Sequence, residues 1–246
     1  MEPELTRFLK ELALKYENED FLKEDPSWFM HQVTGWKNQE TMAFLASCLS
    51  YGSRKQFFPK IQQLLDWSGG EVYDWVLNGG FADVVKDNSR CYYRLQTNHN
   101  MLMLLCRLQM LLKSHGTIRD YILENAKDAM SAIKAICLFF NGSDNGALVP
   151  ANASSACKRV CMFLRWMVRD NSPVDLGIWE GIIDKRSLIM PLDTHVVQEA
   201  TKMGLLNTKS TSMSTAIRLT EKMKEIFPDD PLKGDFALFG YGVDNL

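Results

Sequence analysis

Apolar positions recur along most of this chain with the three-and-four spacing of amphipathic helices. Leu5, Phe8, Leu9, Leu12 and Leu14 mark a helix over Glu4–Lys15. Asp25-Pro26 has the form of an N-cap followed by proline at the first helical position. Met42, Ala43, Leu45, Ala46 and Leu49 mark a second strong helix, Gln39–Leu49, which ends at Ser50-Tyr51-Gly52-Ser53. Another follows, with Phe57, Phe58, Ile61, Leu64 and Leu65 on one side. Ser68-Gly69-Gly70 and Gly79-Gly80 then break the pattern.

Asn98–Ser114 is long and rich in leucine, and it is expected to be a central buried helix ended by His115-Gly116. Thr117–Asn125 and Asp128–Phe140 continue the series up to the polar loop Asn141–Gly146, the clearest candidate boundary. Beyond it come a helix from Ser154, a short helix near Val174–Ile183, a helix entered through Asp193 and closed by Gly204, and helices over Ser214–Ile226 and Leu232–Phe239. No segment alternates with period two for long enough to predict a strand. The expected fold is all-α: one compact multi-helix unit over residues 1–246, with two helical lobes at about 40–140 and 147–246, the latter joined by the N-terminal helices.

Composition adds little beyond this. Hydrophobic residues at 46% and charged residues at 24% are ordinary for a globular protein, and the net charge of −2 removes any overall basic excess. A polyanion site would therefore be a local patch. The chain has no apolar run of membrane-spanning length and no charged-then-apolar start, so a cytoplasmic protein without a signal peptide is expected. The six cysteines lie mostly inside apolar helical patterns and form no Cys-x-x-Cys pair. Reduced thiols are expected, with no metal site and no cofactor. His31, His99 and His115 have no metal-ligand spacing.

Two residues carry candidate chemistry. On the helix from Ser154, Cys157, Val160, Cys161, Leu164 and Val168 face the core, and Lys158 falls at the edge of that face in the first turns. Partial desolvation there favours the neutral amine that nucleophilic chemistry needs, although a snorkelling surface lysine has the same pattern. Asp193 stands before the periodic run Val196, Val197, Ala200, Met203, where an N-cap accounts for it. His195 lies in the first turn, where free amides and the helix dipole favour phosphate, and Pro191 stiffens the approach.

Pro191-Leu-Asp-Thr-His-Val resembles the Pro-Val-Asp-x-His-Val signature of helix-hairpin-helix DNA glycosylases. The resemblance is nearest the archaeal-type 8-oxoguanine glycosylase/lyases, which share the enlarged step between lysine and aspartate, and it extends to a bacterial branch. It covers about residue 40 to the end. Weaker echoes are Phe44-Leu-Ala-Ser-Cys-Leu-Ser-Tyr-Gly-Ser-Arg-Lys, similar to the early DNA-facing turn, and Asp235-Phe-Ala-Leu-Phe-Gly-Tyr-Gly, similar to the helix beside the base pocket.

The resemblance implies a DNA glycosylase-like fold with a divergent helix-hairpin-helix, in a monomer that acts on double-stranded DNA carrying a damaged base or an abasic site. It implies Lys158 as the Schiff-base nucleophile and Asp193 as its catalytic carboxylate. His195, Ser154, Ser155, Arg159, Arg54 and Lys55 are implied as DNA contacts, as are Arg165 and Arg169. Asp235, Phe239, Tyr51 and Pro191 are implied as pocket residues, with Trp179 a weaker stacking candidate. The chain departs from the family at Val149-Pro-Ala-Asn-Ala-Ser-Ser-Ala, which replaces the Gly-x-Gly hairpin, and at Gly52, where glutamine is frequent. A non-catalytic binder of distorted DNA and a helical protein-interaction module therefore stay open as alternatives.

Overall fold

The computed structural model describes residues 2–244. In chain order its α-helices are α1 Pro3–Tyr16, α2 Trp36–Leu49, α3 Arg54–Ser68, α4 Val72–Leu77, α5 Phe81–Val84, α6 Asn98–His115, α7 Ile118–Asn125, α8 Ala129–Phe140, α9 Lys158–Val168, α10 Thr194–Lys202, α11 Met213–Ile226 and α12 Lys233–Asp244. Short 3₁₀ turns occupy Glu19–Glu24, Pro26–His31 and Lys185–Ser187. Among the described residues the fold is all-α apart from one small antiparallel hairpin, β1 Cys91–Tyr93 with β2 Gln96–Thr97. Strands this short leave no alternation to detect in the sequence.

The chain divides into two compact units, one made of Met1–Lys23, Lys127–Ile133 and Ala153–Leu246, the other of Glu24–Ala126 and Lys134–Asn152. In the second unit α2 packs against α3, α4 and the 3₁₀ turn at Pro26–His31. Every residue of α2 from Glu40 to Leu49 is buried. Burial on all sides brings Glu40 inside, where its carboxylate accepts the backbone N–H groups of Ile118 and Arg119, both at 2.9 Å. These amides open α7 and have no partner within their own helix, so an anion suits them doubly. Helix α6 begins in a capping box between Thr97 and Asn100 and buries Met101, Leu104, Leu105, Leu108, Leu111 and Leu112. It packs on α4 and α7.

In the first unit α12 packs against α1 and α10. A Cβ at Gly240 would stand 2.2 Å from the Tyr16 ring, so glycine there permits the close approach of α1. Helix α9 is buried at every position from Val160 to Val168. The short helix expected near Val174–Ile183 does not form. The chain instead returns over the end of α9, and its amides satisfy the last carbonyls of that helix: Leu176 N and Gly177 N donate to Trp166 O at 2.8 and 3.1 Å, and Trp179 N donates to Met167 O at 2.8 Å.

Candidate functional site

The start of α10 is fixed by Asp193. Its Oδ1 accepts the Val196 N–H at 2.9 Å, the N-cap bond that ends the extended segment through buried Pro191 and Leu192. Its second oxygen, Oδ2, is left to receive Lys158 Nζ at 2.7 Å. The two side chains are only partly open to solvent, at 31% for Lys158 and 20% for Asp193. Burial alone would raise the proton affinity of Asp193. The Lys158 charge and hydrogen bond, the Val196 amide and the neighbouring His195 outweigh it and hold the carboxyl below its ordinary value.

Lys158 is the first residue of α9, so that helix begins four residues later than the apolar pattern predicted. Cys157 before it adopts a left-handed conformation at φ 46°, which breaks the helix on its N-terminal side. Upstream the backbone is extended rather than helical. Ser155 forms a β-bridge with Ser212, and Ala156 N donates to Thr211 O at 3.2 Å. Ser154 and Ser155 are exposed and Arg159 is half-buried, while His195 is exposed on the first turn of α10. Phe239 of α12 completes this neighbourhood, with the Lys158 ammonium 5.9 Å from its ring centroid.

Beneath the pair lies a chain of buried charges. Arg165 binds Asp175 through Nε at 3.1 Å and Asp235 through Nη1. Arg169 binds Asp175 as well, Asp230 through Nε and Nη2 at 2.9 and 2.8 Å, and Glu17 at 2.8 Å. Both guanidinium groups also lie over the Phe236 ring, at 4.5 and 5.2 Å from its centroid. The reading of Arg165 and Arg169 as phosphate contacts is therefore overturned, because α9 is buried all round and both arginines are spent inside. Asp235 is 4% exposed, and burial pushes its carboxyl up to about 6 despite the opposing charge and hydrogen bond of Arg165. Trp179 is also not a stacking group. It is fully buried, edge-on to Phe163 at 5.4 Å. Asp175, Asp230 and Glu17 were not singled out from sequence, since they lie in loops or past a helix end with no periodic signal.

Tyr51, Arg54 and Lys55 belong to the other unit. The Tyr51 ring sits edge-on to Tyr93 at 4.9 Å, its carbonyl accepts the Tyr93 hydroxyl, and the Arg94 guanidinium lies 5.7 Å from its centroid. Arg54 pairs with Glu24 at 3.1 Å, and Lys55 is exposed.

The sequence profile of a family described as a protein of unknown function (DUF2400) matches residues 25–244. The chain belongs to that family. No curated protein and no solved structure matches it. Lys158, Asp193, Asp235 and Phe239 all fall inside the matched DUF2400 span. No helix of the described residues is long and apolar enough to cross a membrane. Among the described residues no group of three or more His, Cys, Asp or Glu side chains is placed to hold a metal ion, and none of the six cysteines is in a disulfide.

Proposed function

We propose that this DUF2400 protein is a DNA glycosylase with lyase activity, excising a damaged base from duplex DNA in the manner of the helix-hairpin-helix glycosylases that residues 191–196 resemble. One observation carries the reading. A lysine amine and an ionised carboxylate from distant segments meet at 2.7 Å in a half-buried setting, beside an aromatic ring. Nucleophilic excision needs that set: an amine, an anion to stabilise the cationic sugar, and a ring on which a flipped base stacks.

The reaction begins with the neutral Lys158 amine. Its nitrogen bonds to C1′ as the C1′–N bond to the base breaks, and the base leaves with the electron pair and takes up a proton. Asp193 stays charged and stabilises the positive charge developing on the sugar. Loss of the amine protons and cleavage of C1′–O4′, with O4′ protonated, give the Schiff base. Removal of a C2′ proton then expels the 3′ phosphate and cuts the strand. Exposed His195, Ser154 and Ser155, with Arg159, supply donors for backbone phosphates.

The second reading, a non-catalytic binder of distorted DNA, draws on the segment before α9, where Ser155 is engaged in a bridge with Ser212 in place of a Gly-x-Gly turn. Borohydride trapping separates the two. Duplexes carrying 8-oxoguanine or an abasic site are mixed with protein and reduced. A covalent adduct that is lost in Lys158→Gln supports the glycosylase/lyase. Salt-sensitive binding without an adduct supports the binder, and absence of both removes each reading.

A further inference from the structure

Two stretches of the first unit lack carboxylate side chains altogether. No aspartate or glutamate occurs from Ala153 to Arg169 or from Ala200 to Thr220, in a chain that has 30 of them and a net charge of −2. The fold brings the two stretches together. Ser155 forms its antiparallel bridge with Ser212, and Ala156 N donates to Thr211 O at 3.2 Å. The connection between α10 and α11 therefore lies against the segment that leads into Lys158. Along it Lys209, Ser210, Thr211 and Ser214 are exposed, and so is Arg218, one turn further along α11. The cations of this ridge differ from their neighbours. Lys202 pairs with Glu199 at 2.7 Å, Lys222 with Glu225 at 2.9 Å and Lys224 with Glu221 at 2.7 Å. Among the described residues no carboxylate lies within ion-pair distance of Lys209 or Arg218. Glu221 stands one turn beyond Arg218, yet the guanidinium turns the other way and donates to Thr215 Oγ1 at 3.3 Å. Thr215 Oγ1 lies 3.0 Å from Ser212 Oγ, which lies 2.9 Å from Ser214 Oγ. Arg218 is thus directed back toward the bridge and toward the positive end of α11, where a cation is disfavoured unless an anion joins it.

We propose that this ridge, Lys209 and Arg218 with the hydroxyls of Ser210, Thr211 and Ser214 between them, holds the sugar-phosphate backbone of duplex DNA beside Lys158. The inference rests on the proposed function and supplies a surface that the function requires. A phosphodiester is held by cations that no carboxylate neutralises and by hydroxyl donors set among them. A protein of net negative charge repels DNA as a whole, so its binding face is a region from which carboxylates are kept away. The ridge meets that condition, because the two carboxylate-free stretches adjoin there. An acidic protein segment would also satisfy two cations. A duplex fits the location better, because Ser155, the bridge partner of Ser212, is three residues before Lys158. A nucleotide that reaches the Lys158–Asp193 pair brings its flanking phosphates to the ridge.

The test uses the intact protein and a duplex carrying a tetrahydrofuran abasic analogue, which cannot form a Schiff base, so binding is read without chemistry. Fluorescence anisotropy between about 50 and about 200 mM salt gives the slope of log affinity against log salt. Lys209→Ala and Arg218→Ala are each expected to make that slope shallower by about 0.9, the value for one phosphate contact, and together by about twice as much. Arg218→Lys keeps the charge and the wild-type slope. The same losses are expected on an undamaged duplex, since phosphate contacts carry no base information. Lys222→Ala and Lys224→Ala, which remove paired cations of the same helix, leave the slope unchanged. An unchanged slope in the Lys209→Ala, Arg218→Ala double variant, or an equal change in the Lys222→Ala, Lys224→Ala double variant, overturns the proposal and leaves the glycosylase reading to borohydride trapping. The expected slopes without a borohydride adduct would remove the glycosylase reading and leave the ridge standing. Wild-type protein that binds neither duplex overturns both.

Discussion

Lys158 Nζ lies 2.7 Å from Oδ2 of Asp193, a residue 35 positions further along the chain. The contact depends on a division of labour within one carboxylate. Oδ1 caps α10 and so fixes the plane of the group, leaving Oδ2 directed at the amine. A structural role and a chemical one therefore coexist in Asp193, and substitution can separate them.

Asp193→Asn keeps a good capping side chain and loses the anion, whereas Asp193→Ala loses both. Urea denaturation is expected to show a cost of about 1–2 kcal/mol for alanine, with asparagine losing less than half of that. Borohydride trapping is expected to fail for both. Equal destabilisation by the two substitutions would show that the cap bond contributes nothing measurable.

The pH dependence of stability should carry opposite slopes from Asp193 and Asp235. Asp193 is held below its ordinary value, so its contribution is complete above the unfolded value of about 4 and disappears as pH falls through the lower folded value. Asp235 is raised to about 6, so its contribution is present below about 4 and is lost as pH rises through about 6. Unfolding free energies measured from pH 3 to 7 are expected to lose the decline between about 4 and 6 in Asp235→Asn, and to lose part of the acid limb below about 4 in Lys158→Met. A decline that persists in Asp235→Asn would assign it to another group.

Arg169 is 1% exposed and its guanidinium serves Asp175, Asp230 and Glu17. Arg169→Met would strip Asp230 and Glu17 of this cation and leave Asp175 with Arg165 alone. Removing one partner of a buried ion pair typically costs about 3–5 kcal/mol, and chemical denaturation at neutral pH is expected to fall in that range. A cost below about 1 kcal/mol would mean that solvent reaches the network.

Local signals in the chain account for much of this arrangement. The apolar spacing of α6 and the cap before α10 are each written within a few residues, and helices formed where they were expected. The meeting of Lys158 with Asp193 was implied by resemblance to a family, since no local pattern states that two helix starts adjoin. Other features had no local signal. Cys157 takes a left-handed conformation without being glycine, which moves the start of α9 past the point its periodicity suggests. Arg165 and Arg169 fall on a stripe that looks like a solvated edge, because their partners Asp175 and Asp230 come from loops that periodicity does not describe. Val174–Ile183 has helix-like apolar spacing, yet Val174, Trp179 and Ile183 are buried in an irregular segment whose amides are drawn to the end of α9.

Glu40 shows the same limit in the other unit and gives the last prediction. Nothing in Gln39–Leu49 distinguishes it from a surface glutamate, yet it is fully buried and accepts the N–H groups of Ile118 and Arg119. Thr117, the side-chain cap of α7, is already occupied by the Asp120 amide, so it cannot replace Glu40. Glu40→Ala leaves the Ile118 and Arg119 amides without that acceptor and is expected to cost about 2–4 kcal/mol, while Glu40→Gln retains one acceptor and should cost about half as much. Hydrogen exchange localises the effect: protection at Ile118 and Arg119 should fall first in the alanine variant, ahead of the α6 core. Uniform loss of protection along α6 and α7 would instead assign Glu40 to general packing of α2.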